Sequence, residues 1–599
     1  MKLSDLVIDY LVERGIRHIF LVSGGGIMHM LDSVGNHPQL RYICNFHEQA
    51  SAIAAEAYAR VTNGVGACLV TTGPGATNAL SAIPGAWFDS IPVIVLSGQV
   101  RLPLIADYSR VRQLGPQEVN IIPMVQPVTK YAMTVRDPST IREELDRAFA
   151  AATSGRPGPV WLDLPLDMQA AEVEVPKGPP CARESRGVAA SDDVRVLAEK
   201  TVELLGKARR PILIAGYGIR LAHAEQTLAH VLRATRLPVL MPITAMDLVP
   251  ESYPYHMGAF GPIGRRAANF ALQNADCVVS IGASLSIAST GFNTAGFAPR
   301  AKKVVVNVDP GEISKSSLPI DVPVVADAGA FLAEIGRQLE ATELPFRDRW
   351  LEACAEWKRQ YPPGPPRESL TAEFINSYAL TEEISRQMKP GEIIVGGNSL
   401  DACSIYQSFH VQEGQRVLIN ANYGAMGWDL PAAVGGCVAA GGARVVLLTG
   451  DGSIQFNIQE LQTVRQNSLN LRIFVLNNDG YESIRATQTN YFAGRFVGSD
   501  FGSGIGNPDF QKLAGAYGLG YVRLSDPARL EDGVRAALDH PGPLLCEVII
   551  SPTQPRTPRV SSFRREDGTM ESRPIEDMFP FLSREEIHHH MHLFDDEES

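Results

Sequence analysis

No CxxC pair, no basic stripe and no long apolar run occurs anywhere in these 599 residues. The eight cysteines are scattered singly, which excludes a disulfide framework and a cysteine-rich zinc site. Several, such as Cys68 and Cys437, sit inside apolar runs and read as reduced core residues. Lysine and arginine (54) fall short of aspartate and glutamate (66), for a net charge of −12. Without a positive patch, that balance argues against a nucleic-acid partner and against an anionic membrane surface. No stretch approaches the roughly 18–20 apolar residues of a membrane span. The opening Met-Lys-Leu-Ser-Asp-Leu-Val lacks the charged-then-apolar pattern of a leader. A cytoplasmic location is expected.

What is present is the composition of an ordinary folded enzyme, 45% hydrophobic and 20% charged, with 41 prolines spread along the chain. At roughly 100–200 residues per domain, the length calls for three or four domains. Short apolar strands alternate with helical patterns at His18–Val22, Ala67–Thr71, Pro92–Ser97 and Val160–Leu164. The alternation resumes at Pro211–Ala215, Pro238–Met241, Cys277–Ile281 and Lys303–Val308, and again at Glu392–Val395, Arg444–Leu448, Arg472–Leu476 and Leu544–Ile550. Such alternation predicts an α/β fold of three doubly wound parallel-sheet domains. Their expected limits are 1–172, 190–340 and 368–552, with an extended C-terminal tail over 553–599. Pro/Gly/Ser-rich linkers are expected at 175–193 and around Tyr361–Pro366. The first and third units have similar texture, but no repeat is strong enough to claim duplication.

The richest motif is an apolar strand, Val445–Leu448, running into Thr449-Gly450-Asp451-Gly452-Ser453 and a helix. A glycine-rich turn at a helix start lets backbone N–H groups and the Ser453 hydroxyl approach phosphate oxygens. Alone it is weak, because such turns end many α/β strands for steric reasons. A second strand, Ile473–Leu476, runs into Asn477-Asn478-Asp479-Gly480-Tyr481. Parallel neighbours end at the same sheet edge, so Asp451 and Asn478 can meet there. With the Gly480 carbonyl, two phosphate oxygens and a water they would complete the octahedral shell that magnesium prefers.

Gly450-Asp451-Gly452 followed by Asn477-Asn478 resembles the diphosphate-binding signature of thiamine-diphosphate enzymes. That resemblance implies a glutamate from the other sheet domain against the aminopyrimidine ring. Glu48 fills the part, within Asn45-Phe46-His47-Glu48-Gln49 and ahead of Ala54-Ala55-Glu56-Ala57-Tyr58-Ala59-Arg60. Thr72-Gly73-Pro74-Gly75-Ala76-Thr77-Asn78 and Asp89-Ser90-Ile91-Pro92 to Gly98-Gln99-Val100 match too, and narrow the likeness to the acetolactate synthase family. Gly424-Ala425-Met426-Gly427, with Leu430-Pro431-Ala432-Ala433, agrees. By this resemblance the first unit is the pyrimidine-binding domain, the second a central domain with a possible FAD site, and the third the diphosphate- and magnesium-binding domain. Met426 would prop the bent cofactor, Tyr481 would lie at its diphosphate turn, and Gly397, Asn398, Ser399 and Gly424 would add contacts. Glu48 and Gln117 would be the catalytic side chains.

The implied reaction decarboxylates pyruvate or another 2-oxo acid and passes a two-carbon unit to a carbonyl acceptor, in a homodimer or homotetramer. Departures from the family pattern fall on the acceptor side, where Thr487 replaces an expected tryptophan and Pro116, before Gln117, an expected phenylalanine. A roomier acceptor pocket follows. The segments Asn478–Arg485, Tyr491–Arg495 and Pro574–Met578 are similar to synthase-like proteins of polysaccharide sugar pathways, which points to a nucleotide-linked keto sugar. Acetolactate synthase proper, a plain 2-oxo-acid decarboxylase and a catalytically silent scaffold paralogue stay open. Ala283-Ser284-Leu285-Ser286-Ile287 stands where the family carries an arginine and aspartates, so FAD is left undecided. The tail run His588–His592 reads as solvated rather than as a metal site.

Overall fold

Every strand expected from the sequence forms, and each lies inside one of three six-stranded parallel sheets. The computed structural model describes residues 1–174, 192–315, 317–364, 373–565 and 567–597. The first sheet runs, in spatial order, Arg41–Cys44, His18–Leu21, Gly66–Val70, Val93–Gln99, Val160–Pro165 and Tyr131–Thr134. The third runs Arg416–Ile419, Ile393–Gly396, Val445–Gly450, Leu471–Asn477, Leu544–Ile549 and Gly520–Leu524. Read by chain order within each, both sheets follow 2-1-3-4-6-5. The likeness of texture between these two units is therefore a shared topology. The central sheet differs: Val322–Val325, Lys302–Asn307, Cys277–Ile281, Pro211–Ala215, Val239–Met241 and His256–Ala259.

In each sheet the inner four strands are the ones legible in sequence, and both edge strands are additions. Inner strands are covered on both faces and read as continuous apolar runs. Edge strands such as Arg41–Cys44 and Val322–Val325 are alternately or mostly exposed, so no apolar run marks them. The linker expected at 175–193 lies almost wholly outside the described residues, as does part of the second. The helix Asp348–Gln360 carries the central core past 340, burying Trp350, Leu351, Cys354 and Trp357.

The first and third domains meet through two helices, Glu48–Thr62 and Asp429–Ala439. Small residues let them approach closely: a Cβ on Gly435 would sit 2.1 Å from the Ala54 carbonyl oxygen. Buried polar contacts fix the register. Asn45 Nδ2 and the Phe46 N–H donate to Glu460 at 2.8 and 2.9 Å, and Trp428 Nε1 donates to Glu56 at 3.1 Å. Arg60 bridges Glu56 and Asp89 at 2.5 Å each.

The tail is extended, with two short antiparallel pairs, Arg559–Val560 with Met578–Phe579 and Ser562–Arg564 with Met570–Ser572, then the helix Arg584–Met591. His590 departs from a solvated reading. It is buried against Phe270, accepts from Trp357 Nε1 at 3.1 Å and lies 2.7 Å from the Tyr361 hydroxyl. It anchors the tail. Among the described residues no helix is long and apolar enough to cross a membrane.

Candidate functional site

Strand order decides where ligands fit: the crevice opens beyond the carboxyl ends, where successive connections turn to opposite sides of the sheet. In the third sheet that point lies between Ile393–Gly396 and Val445–Gly450, whose ends carry Gly397-Asn398-Ser399 and Gly450–Ser453. Both turns stand among the residues expected from sequence.

Asp451 is the hub. Its Oδ1 accepts from the Gly452 N–H at 2.8 Å. Its Oδ2 accepts from the N–H groups of Asn478 (3.1 Å) and Gly480 (3.0 Å) and from Asn507 Nδ2 (2.7 Å). Burial raises the Asp451 carboxyl above its ordinary range, against the pull of these donors. Beside it the Asn478 side-chain oxygen is buried and has no hydrogen-bond partner. An unpaired buried acceptor is costly unless a cation or donor meets it. Gly480 stands at φ 128°, and a Cβ there would lie 2.4 Å from the Ser499 carbonyl oxygen. Gly452 has a different reason: a Cβ would strike the Tyr481 ring at 2.1 Å, so the ring can lie over this turn only because the residue is glycine.

The remaining expected residues converge on the same edge. Asn398 Nδ2 donates to the Gly424 carbonyl at 2.6 Å, and Ser399 Oγ lies 2.5 Å from Ser483 Oγ. Ser453 Oγ accepts from the Gly427 N–H at 2.9 Å, which ties the half-buried Met426 turn to the Asp451 turn. Asn507 was not expected. It reaches Asp451 across 56 residues of sequence and also donates to Asn477 Oδ1 at 3.1 Å. The only local signal is an Asn-Pro dipeptide, a common turn starter.

In the first sheet the switch point lies between His18–Leu21 and Gly66–Val70. Glu48 opens its helix behind an N-cap, His47, whose Nδ1 accepts from the Gln49 N–H at 3.1 Å. Asn78 Nδ2 donates to Glu48 Oε2 at 3.0 Å, leaving Oε1 toward Gly75, whose added Cβ would be 3.3 Å away. Gln117 sits on the other side of the same turn: it holds φ 67°, and a Cβ on Gly73 would lie 2.2 Å from its carbonyl oxygen. Glu48 and Gln117 thus flank one glycine turn. No hydrogen bond among the described residues joins Glu48 to the Asp451 edge; the tie runs one residue on, from Asn457 Nδ2 to Gln49 at 3.1 Å and to the Gly427 carbonyl at 2.7 Å.

A cavity of about 1010 Å³ opens at the central sheet's own switch point, against the first domain. Gly218, Gly282, Ser284, Asn307 and Asp327 line it. Its two arginines are committed, Arg14 to Asp146 at 2.6 Å and Arg156 to Glu312 at 2.7 Å. Asp327 adds further negative charge.

Comparison with known proteins agrees with this division. Models of thiamine pyrophosphate enzymes match as the N-terminal TPP binding domain over residues 1–124, the central domain over 198–335 and the C-terminal TPP binding domain over 396–548. Among similar proteins, the probable acetolactate synthase large subunit of Methanocaldococcus jannaschii is 31% identical over 560 residues, 92% of this chain and 93% of that protein. The acetolactate synthase isozyme 2 large subunit of Escherichia coli is 31% identical over 562 residues, covering 92% and 96%. The acetolactate synthase large subunit of Cyanidium caldarium is 30% identical over 569 residues, covering 93% and 94%. Three parallel sheets, two of one topology with glycine turns at the carboxyl ends of their strands, and these relatives along nearly the whole chain give one conclusion: the chain belongs to the thiamine-pyrophosphate-dependent enzymes of the acetolactate synthase large-subunit family.

Proposed function

We propose that this enzyme decarboxylates pyruvate and transfers the two-carbon unit to a carbonyl acceptor larger than a second pyruvate, a nucleotide-linked keto sugar. The observation that carries the first half is the buried Asp451–Asn478 edge, with its unpaired amide oxygen, in a chain whose relatives are named acetolactate synthases. Asp451, Asn478 Oδ1 and the Gly480 carbonyl fit a magnesium ion, since all three are oxygen donors and one is otherwise unpaired. Gly397, Asn398, Ser399, Gly424, Gly450, Gly452, Ser453 and Tyr481 would hold the diphosphate, with Met426 beneath the rings. When bound, thiamine diphosphate supplies the electron sink that lets a 2-oxo acid lose carbon dioxide. Glu48, fixed by Asn78, would hold a proton at Oε1 and share it with the pyrimidine ring of the bound cofactor. Gln117 orients the substrate carboxylate or carbonyl by hydrogen bonding.

The two half-sites present exposed apolar rims, Met28, Tyr42 and Phe46 on the first domain and Phe456 on the third. Covering them with a second copy would exclude water, which the transfer step needs, and would make the active unit at least a homodimer. Thr487 and Pro116 are exposed and carry no ring, which supports the wider acceptor side. Carbon dioxide release from pyruvate, measured while acceptors are screened, tests the reading. Consumption of a keto sugar supports it; acetolactate formed from pyruvate alone at full rate overturns the acceptor assignment. The relatives' names favour that second reading, acetolactate synthase proper.

The central cavity has room for a flavin dinucleotide, but both arginines that line it are already paired with carboxylates. We propose that it carries no FAD. A flavin absorbance band in the purified protein would overturn this.

A further inference from the structure

Two buried carboxylates outside every motif meet at the third sheet's switch point. Asp401 lies in the first turn of the helix Leu400–Ser408, and Asp429 opens the helix Asp429–Ala439. Both are essentially unexposed. A Cβ on Gly397 would lie 2.1 Å from Asp401 Oδ2 and 3.0 Å from Asp429 Oδ2, so the two side chains close on one small space that only a glycine leaves open. None of the ion pairs among the described residues involves either group, and burial raises both carboxyls above their ordinary range. Like charges this close and this dry do not both ionise.

Hydrogen bonds say which one keeps the proton. Asp401 accepts at both oxygens, from the Gly397 N–H at 2.8 Å and the Ser399 N–H at 2.9 Å, which is the pattern of an ionised carboxylate. Asp429 has one oxygen on the Leu430 N–H at 3.0 Å, while the other makes a short contact with Thr449 Oγ1. Thr449 Oγ1 is also 3.3 Å from the Gly450 carbonyl. The Thr449 hydroxyl can donate to Asp429 or, if Asp429 carries a proton, accept a hydrogen bond from it while turning its own O–H to the Gly450 carbonyl. Ser453 also bonds Asp429. One carboxylate thus grips the Gly397–Ser399 turn, and the other joins the Thr449–Ser453 turn to the start of the Asp429 helix.

We propose that Asp401 and Asp429 are a single-proton pair of positioning residues, with Asp401 ionised and Asp429 protonated, that braces the two turns around the cofactor's diphosphate. The inference rests on the assignment of those turns to the diphosphate. Neither side chain touches the reacting atoms. Their effect falls on cofactor affinity rather than on turnover of the loaded enzyme.

The test is titration of thiamine diphosphate with Mg²⁺ into the full chain, followed by Trp428 fluorescence or calorimetry. Asp401→Asn sets an amide N–H₂ against a backbone N–H and should weaken binding roughly tenfold or more, with turnover at saturating cofactor within about threefold of wild type. Asp429→Asn mimics the protonated partner, donating to Thr449, and should weaken binding by less than about threefold. Equal losses in the two variants, an unchanged Kd in Asp401→Asn, or a fall confined to saturated turnover would each overturn the proposal. If Asp401→Asn does not fold, Thr449→Val, which removes the hydroxyl that meets Asp429, must weaken binding several-fold with saturated turnover within about threefold of wild type. A wild-type chain that fails to bind the cofactor sinks the diphosphate assignment instead.

Discussion

The first and third domains share a strand order and differ in what they bury at its switch point. In the third, Asp451, Asn478, Asp401 and Asp429 are nearly inaccessible, and the three carboxylates are spent on holding turns in place while the Asn478 side-chain oxygen is left unpaired. In the first, Glu48 and Gln117 flank a glycine turn with their side chains only partly covered. The same topology thus supports a rigid cradle in one copy and an open face in the other, and the turn residues set the difference. Binding should be the office of the third domain and proton handling that of the first.

The sharpest way to break this division is Glu48→Gln. An amide cannot hold or return the proton, so turnover should fall by about two orders of magnitude or more, the usual worth of a positioned acid–base group. Cofactor affinity, measured by titration, should stay within a few-fold of wild type. Equal turnover would remove Glu48 from the chemistry, and a loss confined to affinity would place the division elsewhere.

The complementary change is Asn507→Ala. It deletes the 2.7 Å donor to Asp451 Oδ2 without touching a residue proposed to bind the cation. Groups that orient a metal ligand are worth roughly tenfold in metal affinity. The apparent Mg²⁺ affinity should drop by about that factor, while saturated turnover moves little. The two variants together should separate turnover from affinity, one in each domain.

An effect of similar size is expected where the two halves share a substrate. Thr487→Trp adds a ring on the helix Glu482–Phe492, next to the Asp451 edge. Filling the acceptor side should cut transfer to a large acceptor by on the order of tenfold relative to transfer to pyruvate. Product ratios from a mixed-acceptor reaction measure it. An unchanged ratio would mean that Thr487 does not face the acceptor.

How far the sequence carries follows the same contrast of buried and exposed. Inner strands such as Cys277–Ile281 are legible because both faces are covered, whereas Tyr131–Thr134 and Gly520–Leu524 are half-exposed edges with no run to see. Asp451 and Asn478 could be paired because parallel strands end together. Glu48 needed the family likeness, since a first-turn glutamate has an ordinary dipole role. Asn507, Asp401 and Asp429 carried no usable sign. Each acts through a partner that the chain brings near only on folding.

The least of the expected effects concerns stability, and it tests whether the first domain also keeps a proton in its core. Asp163, on the inner strand Val160–Pro165, accepts from Ser97 Oγ at 2.6 Å, Thr134 Oγ1 at 3.1 Å and Gln99 Nε2 at 3.2 Å. Burial outweighs these donors and pushes its carboxyl up to about 7. Between about 4, the ordinary value, and that point the folded chain retains a proton that the unfolded chain has lost. The contribution of Asp163 is therefore fully present at the acid end of the window and is lost as pH rises through about 7. Asp163→Asn keeps a donor for Thr134 and an acceptor for Ser97 but cannot ionise. Its melting temperature relative to wild type should rise steadily across that window, because only the wild type pays for ionising a buried group. A constant difference from acid to neutral pH would show that Asp163 is ionised in the fold and that the dry, proton-retaining carboxylates belong to the third domain alone.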